Sequence, residues 1–125
     1  MEKKKNVINK KIVVQAIIDK IENENDDFEI KTGIVEGYTR PDKIIHKGDQ
    51  GKGYIPDVVM QNDEKTELFE VELDQDFELD KWKLFSLYTN KMKGNFNIVA
   101  PEEILPQVRQ ALNTENINAK IIYFS

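Results

Sequence analysis

The sequence contains no cysteine and a single histidine, His46. Disulfide bonds and thiolate metal sites are therefore excluded, and so is a zinc site built from several histidines. Any bound metal would be held by oxygen ligands, which favours Mg²⁺, Mn²⁺ or Ca²⁺. The 18 Lys and Arg residues are outnumbered by 23 Asp and Glu, and the net charge of −5 argues mildly against strong nonspecific binding to nucleic acid.

A long uninterrupted apolar run is also missing. The apolar segment that begins at Ile12 is interrupted by Gln15 and ends before Asp19, and no small-residue cleavage site follows it. This pattern indicates an amphipathic helix rather than a signal peptide or a membrane span. With 125 residues, 39% hydrophobic and 33% charged, we expect a single domain over residues 1–125, cytoplasmic and without a membrane partner.

Hydrophobic periodicity predicts an α/β domain with eight elements in the order αβββαβαβ. A polar turn between the second and third strands predicts an antiparallel hairpin, and the later alternation of strands and helices predicts parallel crossovers. The result would be one mixed sheet with helices on both faces. The predicted helices are 7–25, 76–93 and a third that opens at Pro101, and the predicted strands are 28–35, 54–60, 67–73, 96–100 and 119–124. Residues 37–53 are predicted to form a long loop.

The third predicted strand carries two acidic residues, Glu70 and Glu72, on one face. Because side chains alternate along a strand, the apolar Phe69 and Val71 point to the other face. The neighbouring strand contains Asp57 within an apolar segment, and hairpin pairing would bring it beside Glu70. Three carboxylates gathered at the edge of these two paired strands would repel one another, and a bound Mg²⁺ or Mn²⁺ would relieve that repulsion. Such a site suits metal-assisted hydrolysis of phosphodiesters.

Two simpler interpretations stand beside this one. A Glu-x-Glu pair by itself is most often the solvated face of an antiparallel strand. A second Pro-Asp pair, Pro41-Asp42, lies in the glycine-rich loop, but it lacks the apolar strand setting of Asp57. Asp57 is therefore the preferred ligand.

Pro56-Asp57 followed by Glu70-Val71-Glu72 resembles the motif of the PD-(D/E)xK nuclease superfamily, whose core has the order αβββαβ. The likeness covers nearly the whole chain as an order of elements, and its motif consists of four residues. It implies a restriction-endonuclease-like fold in which Asp57 and Glu70 bind Mg²⁺ or Mn²⁺ and the enzyme hydrolyses nucleic acid, most typically DNA. A homodimer would supply the DNA contacts that one small domain lacks.

The resemblance departs from the family pattern at Glu72, which occupies the position of the motif lysine. Some restriction enzymes of the family carry Glu there and cleave DNA, so Glu72 is retained as a catalytic and metal-binding candidate. Lys81 or Lys83, in the second predicted helix, would supply the displaced positive charge. Glu22, late in the first helix, stands where many family members place a further acid, and it would be an additional metal ligand through water.

Other residues have a structural and a functional interpretation. Trp82 and Tyr88 fit either the hydrophobic core or a surface that stacks on bases. His46 fits a loop residue better than a general base. Scattered basic residues fit either solubilising charge or a phosphate track: Lys3 to Lys5, Arg40, Lys43, Lys47, Lys52, Lys91 and Lys93.

The sequence therefore predicts a metal-dependent nuclease. One alternative is a catalytically inactive protein of the same fold that serves as a nucleic-acid-binding or assembly module, which the missing motif lysine and the acidic net charge favour. Another is an unrelated small α/β protein whose Glu-x-Glu pair is ordinary strand surface. The distance between Asp57 and Glu70 separates this last interpretation from the other two.

Overall fold

The structure, a computed structural model, describes residues 9–24, 27–45 and 52–125. Three α-helices are present, α1 (Lys10–Glu24), α2 (Leu79–Lys91) and α3 (Leu105–Thr114), the last preceded by a 3₁₀ turn. The strands are β1 (Glu29–Lys31), β2 (Ile44–Ile45), β3 (Gly53–Tyr54), β4 (Val58–Gln61), β5 (Thr66–Val71), β6 (Phe96–Pro101) and β7 (Lys120–Phe124). None of the described helices has both the length and the hydropathy needed to span a bilayer.

Five of the strands form one mixed sheet in the order β1-β4-β5-β6-β7. The first three pair antiparallel, whereas β5, β6 and β7 run parallel. The parallel pairs are joined through α2 and α3, because consecutive parallel strands need a crossover to return the chain to the same edge. The predicted mixed α/β architecture is confirmed at this level.

A separate two-stranded hairpin, β2 with β3, was not predicted from the sequence. Its first strand lies within the segment interpreted as a loop, and its second includes Tyr54, which was assigned to the same strand as residues 55–60. That predicted strand is divided because Pro56 has no N–H to donate to a sheet partner. Tyr54 therefore pairs with Ile44, and the main-sheet strand starts only at Val58. The order of elements differs from αβββαβαβ by this insertion.

Each face of the main sheet has its own hydrophobic core. Successive residues of β5 point to opposite faces, so that Leu68 packs toward α2 and α3 while Phe69 packs toward α1. The α1 side is filled by Val13, Val14, Ile18, Ile21, Val58, Met60, Phe69, Val71 and Val99. The side of α2 and α3 is filled by Val59, Leu68, Trp82, Phe85, Phe96, Ile98, Val108 and Leu112, among others. Glu70, two residues after Leu68, must enter this second core.

The end of α2 differs from the sequence prediction. The helix stops at Lys91 rather than at residue 93, and Lys93 adopts a left-handed φ of 60°. Gly94 follows, and a Cβ there would lie 1.8 Å from the backbone oxygen of Thr66. Glycine is therefore required because the chain passes directly over the start of β5, which lets β6 pair beside it.

A candidate acidic site at the ends of two paired strands

The pairing of β4 with β5 brings Asp57 and Glu70 together. Val58 lies opposite Phe69, so the next position places Asp57 opposite Glu70. The Asp57 N–H donates to Oε1 of Glu70 at 2.8 Å, and the Val71 N–H donates to Oδ2 of Asp57 at 2.9 Å. Asp57 is 6% exposed and Glu70 is 1% exposed. At this end of the β4–β5 pair, the backbone N–H groups of Asp57 and Val71 therefore donate to side-chain carboxylates instead of to backbone carbonyls of the neighbouring strand.

The backbone of Asp57 is fixed from the other side as well. Its carbonyl oxygen accepts a hydrogen bond of 2.6 Å from Oγ1 of Thr32, which is fully buried just after β1. The same hydroxyl accepts from the Ile34 N–H at 3.1 Å. Thr32 therefore connects the loop after β1 to the strand that carries the aspartate. Buried polar groups of this kind hold a single geometry because every alternative leaves one of them unpaired.

Glu70 forms an ion pair with Lys81, which lies in the first turn of α2. The Nζ–Oε2 distance is 2.7 Å, and the lysine side chain is only 15% exposed. Burial, together with the charge of Asp57, raises the pKa of Glu70 to about 7, although Lys81 acts in the lowering direction. Burial alone would lower the pKa of Lys81, but the ion pair with Glu70 and the nearby acids raise it. The sequence prediction that α2 brings a positive charge beside the acids is met by Lys81.

Glu72 lies just beyond β5, where its carboxylate is buried rather than solvated. It is 9% exposed, and its Oε2 accepts a hydrogen bond of 2.9 Å from Nε1 of Trp82. Burial raises its pKa, and the hydrogen bond from Trp82 opposes that rise. Trp82 itself is fully buried, so it belongs to the core and does not offer a base-stacking surface. The interpretation of Glu70 and Glu72 as a solvated strand face is wrong.

Lys10, the first residue of α1, is a site residue that the sequence analysis missed. Its Nζ lies 3.3 Å from Oδ1 and 3.2 Å from Oδ2 of Asp57. The lysine side chain is 39% exposed and the aspartate side chain 8% exposed, so the ammonium approaches from the more open side. No spacing in the sequence indicates this contact, because the two residues are 47 positions apart and meet only through the packing of α1 on the sheet.

Two predicted site residues lie elsewhere. Lys83 is paired with Glu115 at 2.9 Å, because it is two residues from Lys81 and therefore points to another side of α2. Glu22 is exposed and accepts a hydrogen bond of 3.0 Å from Tyr38. It is 12 residues from Lys10 along α1, which places it about 18 Å farther along the helix axis. The structure does not bring either residue to the Asp57–Glu70 pair.

Burial, together with the charge of Asp57, raises the pKa of both Glu70 and Glu72, but the predicted role of the three acids as a metal site stays a prediction. In the described ranges, no group of three or more His, Cys, Asp or Glu side chains is arranged to hold a metal ion. The physical reason is that each acid has its own nearby donor: Lys10 for Asp57, Lys81 for Glu70 and Trp82 for Glu72. Asp57 and Glu70 remain the only two of the four predicted ligands in direct contact with one another within the described residues.

The remaining candidates are less informative. Asp42 is exposed in the segment between β1 and β2, and His46 lies outside the described residues, as do Lys3 to Lys5 and Lys47. Tyr88 packs against the core on the α2 side. The other proposed phosphate-contacting residues are exposed: Arg40, Lys43, Lys52, Lys91 and Lys93. A cavity of about 220 Å³ lies between β2 and Pro56, with Lys31, Lys43 and Gln61 in its wall.

The raised pKa of Glu70 predicts a dependence of stability on pH. The native state holds a proton on Glu70 up to about pH 7, whereas the ordinary value is 4.5. Between these values the native state binds more protons than the unfolded chain, so the free energy of unfolding falls as pH rises, by roughly 3 kcal/mol in all. Glu70→Gln removes this titration and should flatten the curve. Denaturant unfolding in EDTA from pH 4.5 to 8 measures it, and parallel curves for the two proteins would contradict the prediction.

Comparison of the chain with protein-family models, with curated proteins and with solved structures returns no match.

Proposed function

We propose that this protein is a metal-dependent nuclease of the PD-(D/E)xK type, with a restriction-endonuclease-like fold, that hydrolyses phosphodiester bonds of DNA. The observation that carries the proposal is the buried pair of Asp57 and Glu70, with Lys81 2.7 Å from Glu70. Two acids and one lysine at the end of a β-hairpin are the functional groups that the family motif supplies. Ordinary strand surface does not explain them, because burying two carboxylates and an ammonium group costs desolvation free energy, and buried ionisable groups with shifted pKa values cluster at functional sites.

Lys81 is the residue proposed to replace the motif lysine. Glu72 occupies the sequence position of the motif lysine, but its carboxylate accepts a hydrogen bond from Trp82. Lys81 approaches the same acids from α2 and is held by Glu70, so the cationic group enters the site from a helix instead of from the strand. In this arrangement Glu72 supports the site by accepting a hydrogen bond from Trp82, a buried residue of α2, which holds the helix that carries Lys81.

The acidic pair fits a divalent cation. Asp57 and Glu70 offer carboxylate oxygens, which Mg²⁺ and Mn²⁺ prefer, and a cation bound there would oppose the burial and the charge of Asp57 that raise the pKa of Glu70. Asp57 and Glu70 would hold the ion, which when bound lowers the pKa of a water and neutralises charge on the scissile phosphate. In this proposal Lys81 donates to a phosphate oxygen as negative charge increases on that oxygen in the transition state. Thr32 and the Val71 N–H keep Asp57 in position.

The proposal is tested by incubating the protein with supercoiled, single-stranded and branched DNA. We expect nicking or cleavage with Mg²⁺ or Mn²⁺ and none in EDTA, because the proposed reaction relies on the ion to lower the pKa of the attacking water and to neutralise charge on the phosphate. Absence of cleavage of all three substrates with either metal would count against the nuclease proposal.

A second candidate function is a catalytically inactive module of this fold that binds nucleic acid or assembles with a partner. One observation favours it: Lys10 forms an ion pair with Asp57 and Lys81 forms one with Glu70, so each acid of the pair has a counter-ion within the chain. Calorimetry with Mn²⁺ separates the two candidates. Heat of binding that disappears in Asp57→Asn supports the nuclease, and no heat together with no thermal shift supports the module.

A further inference from the structure

The two lysines at the acidic pair are held very differently. Lys81 is 15% exposed and contacts Glu70, which is itself almost completely buried. Lys10 is 39% exposed, and its ammonium lies 3.2 to 3.3 Å from both oxygens of Asp57. A charge that is this exposed keeps much of its hydration and exchanges partners easily, whereas the deeper one does not. The site therefore has one fixed cation and one that can leave.

We propose that Lys10 is an exchangeable counter-ion of Asp57, which releases this carboxylate when a divalent cation binds and then contacts a phosphate of the nucleic-acid substrate. The inference rests on the proposed function and gives a binding role to Lys10, a residue that the family motif does not include. Lys10 is thus given two consecutive partners, a carboxylate in the unliganded protein and a phosphate in the complex.

The position of Lys10 on its helix supports this role. It is the first residue of α1, where the helix dipole disfavours positive charge, and the first turn contains no acidic residue. Helix stability therefore gives no reason for a lysine there. Its contact with Asp57 does, because an acid that is 6% exposed needs a compensating charge when no other cation is present.

Competition for the same oxygens supports the exchange. The ammonium lies within reach of both Oδ1 and Oδ2 of Asp57, and Oδ2 also accepts the Val71 N–H. A divalent cation would use lone pairs of the same carboxylate, so binding of the ion and contact with Lys10 oppose each other. The side chain of Lys10 has four methylene groups and is 39% exposed, so once released it is accessible to a phosphate of the substrate.

The experiment compares Lys10→Met with the wild type in two measurements. Calorimetry with Mn²⁺ and no nucleic acid should show about three- to tenfold tighter binding in Lys10→Met, because a competing charge is gone. The exposed neighbour Lys11 provides the control, and Lys11→Met should retain the wild-type affinity for Mn²⁺.

The second measurement is binding of a short phosphorothioate DNA duplex in the presence of Mn²⁺. Binding should be weaker in Lys10→Met, and the slope of the logarithm of the binding constant against the logarithm of the salt concentration should be smaller by about one phosphate contact. Lys10→Arg keeps the charge and should restore DNA affinity.

The outcomes distinguish this inference from the proposed function. If the wild type binds Mn²⁺ and Lys10→Met binds it no more tightly, the exchange is overturned while the nuclease proposal stands. If neither protein binds Mn²⁺, both fall. Unchanged DNA affinity and salt slope in Lys10→Met would overturn the phosphate contact. Should Lys10→Met not fold, Lys10→Gln serves in its place, since the side chain is partly exposed and a polar amide is tolerated there.

Discussion

Asp57→Asn is expected to reduce metal-dependent DNA cleavage by at least about 1,000-fold, because a carboxylate that holds a divalent cation contributes several kcal/mol to transition-state stabilisation. Asparagine has the shape of aspartate and keeps an oxygen that can accept the Val71 N–H, so the hairpin should stay folded. What is lost is the negative charge. Initial rates of plasmid nicking at saturating Mg²⁺ measure the effect, and a thermal melt of each protein verifies that folding is unchanged.

The second Pro-Asp pair of the chain provides a matched control. Asp42 also follows a proline, but it is exposed between β1 and β2. Asp42→Asn removes the same charge with the same change of shape, and cleavage should remain at the wild-type rate. If Asp57→Asn retained more than a tenth of the activity, or if Asp42→Asn lost as much as Asp57→Asn, then Asp57 would not be the metal-binding acid.

The contact of Asp57 with Glu70 is the part of the site that the sequence could predict. A polar turn at residues 62–65 sets the register of the hairpin, and the alternation of Phe69, Glu70 and Val71 decides which side chains share a face. Both are local properties of the chain. The mixed sheet and its parallel crossovers follow in the same way from the alternation of apolar strands and amphipathic helices.

Lys10 and the β2–β3 hairpin could not be predicted in this way. Whether Lys10 reaches Asp57 depends on where α1 lies across the sheet, which is decided by packing of side chains such as Val14 and Ile18 and leaves no periodic signal. The hairpin consists of two residues on each side, too few for a period to be recognised. The donor to Glu72 could not be predicted for a related reason, since Trp82 reaches this carboxylate from another element.

These contacts give the site a consistent electrostatic organisation. Three acids of low exposure lie at one end of the β4–β5 hairpin, and each is matched by a donor from a helix. The compensation is incomplete at Glu70, whose pKa remains raised despite Lys81. A group that is half protonated near neutral pH is sensitive to any added cation, because binding the cation displaces the proton. The affinity of the site for Mn²⁺ should accordingly fall below pH 7.

Lys81→Met is expected to reduce cleavage by two to three orders of magnitude, the usual cost of removing a donor aimed at developing negative charge. Methionine has a similar length and no charge. Lys83→Met is the control, because Lys83 lies two residues away on the same helix and is paired with Glu115 outside the site. Cleavage rates of the two variants at saturating Mg²⁺ are compared, and Lys83→Met should cleave at the wild-type rate.

A pH profile separates two explanations for a loss in Lys81→Met. Lys81 lowers the pKa of Glu70, so the variant would hold a proton on Glu70 to higher pH and bind the metal poorly for that reason alone. If this were the whole effect, the deficit of Lys81→Met relative to the wild type would shrink steadily as the pH is raised with excess Mg²⁺, because a larger fraction of Glu70 becomes ionised at each step. A direct contact between Lys81 and the phosphate predicts a deficit that persists at high pH. Full recovery would therefore show that Lys81 only positions and ionises Glu70, and an equal loss in Lys83→Met would remove Lys81 from the site altogether.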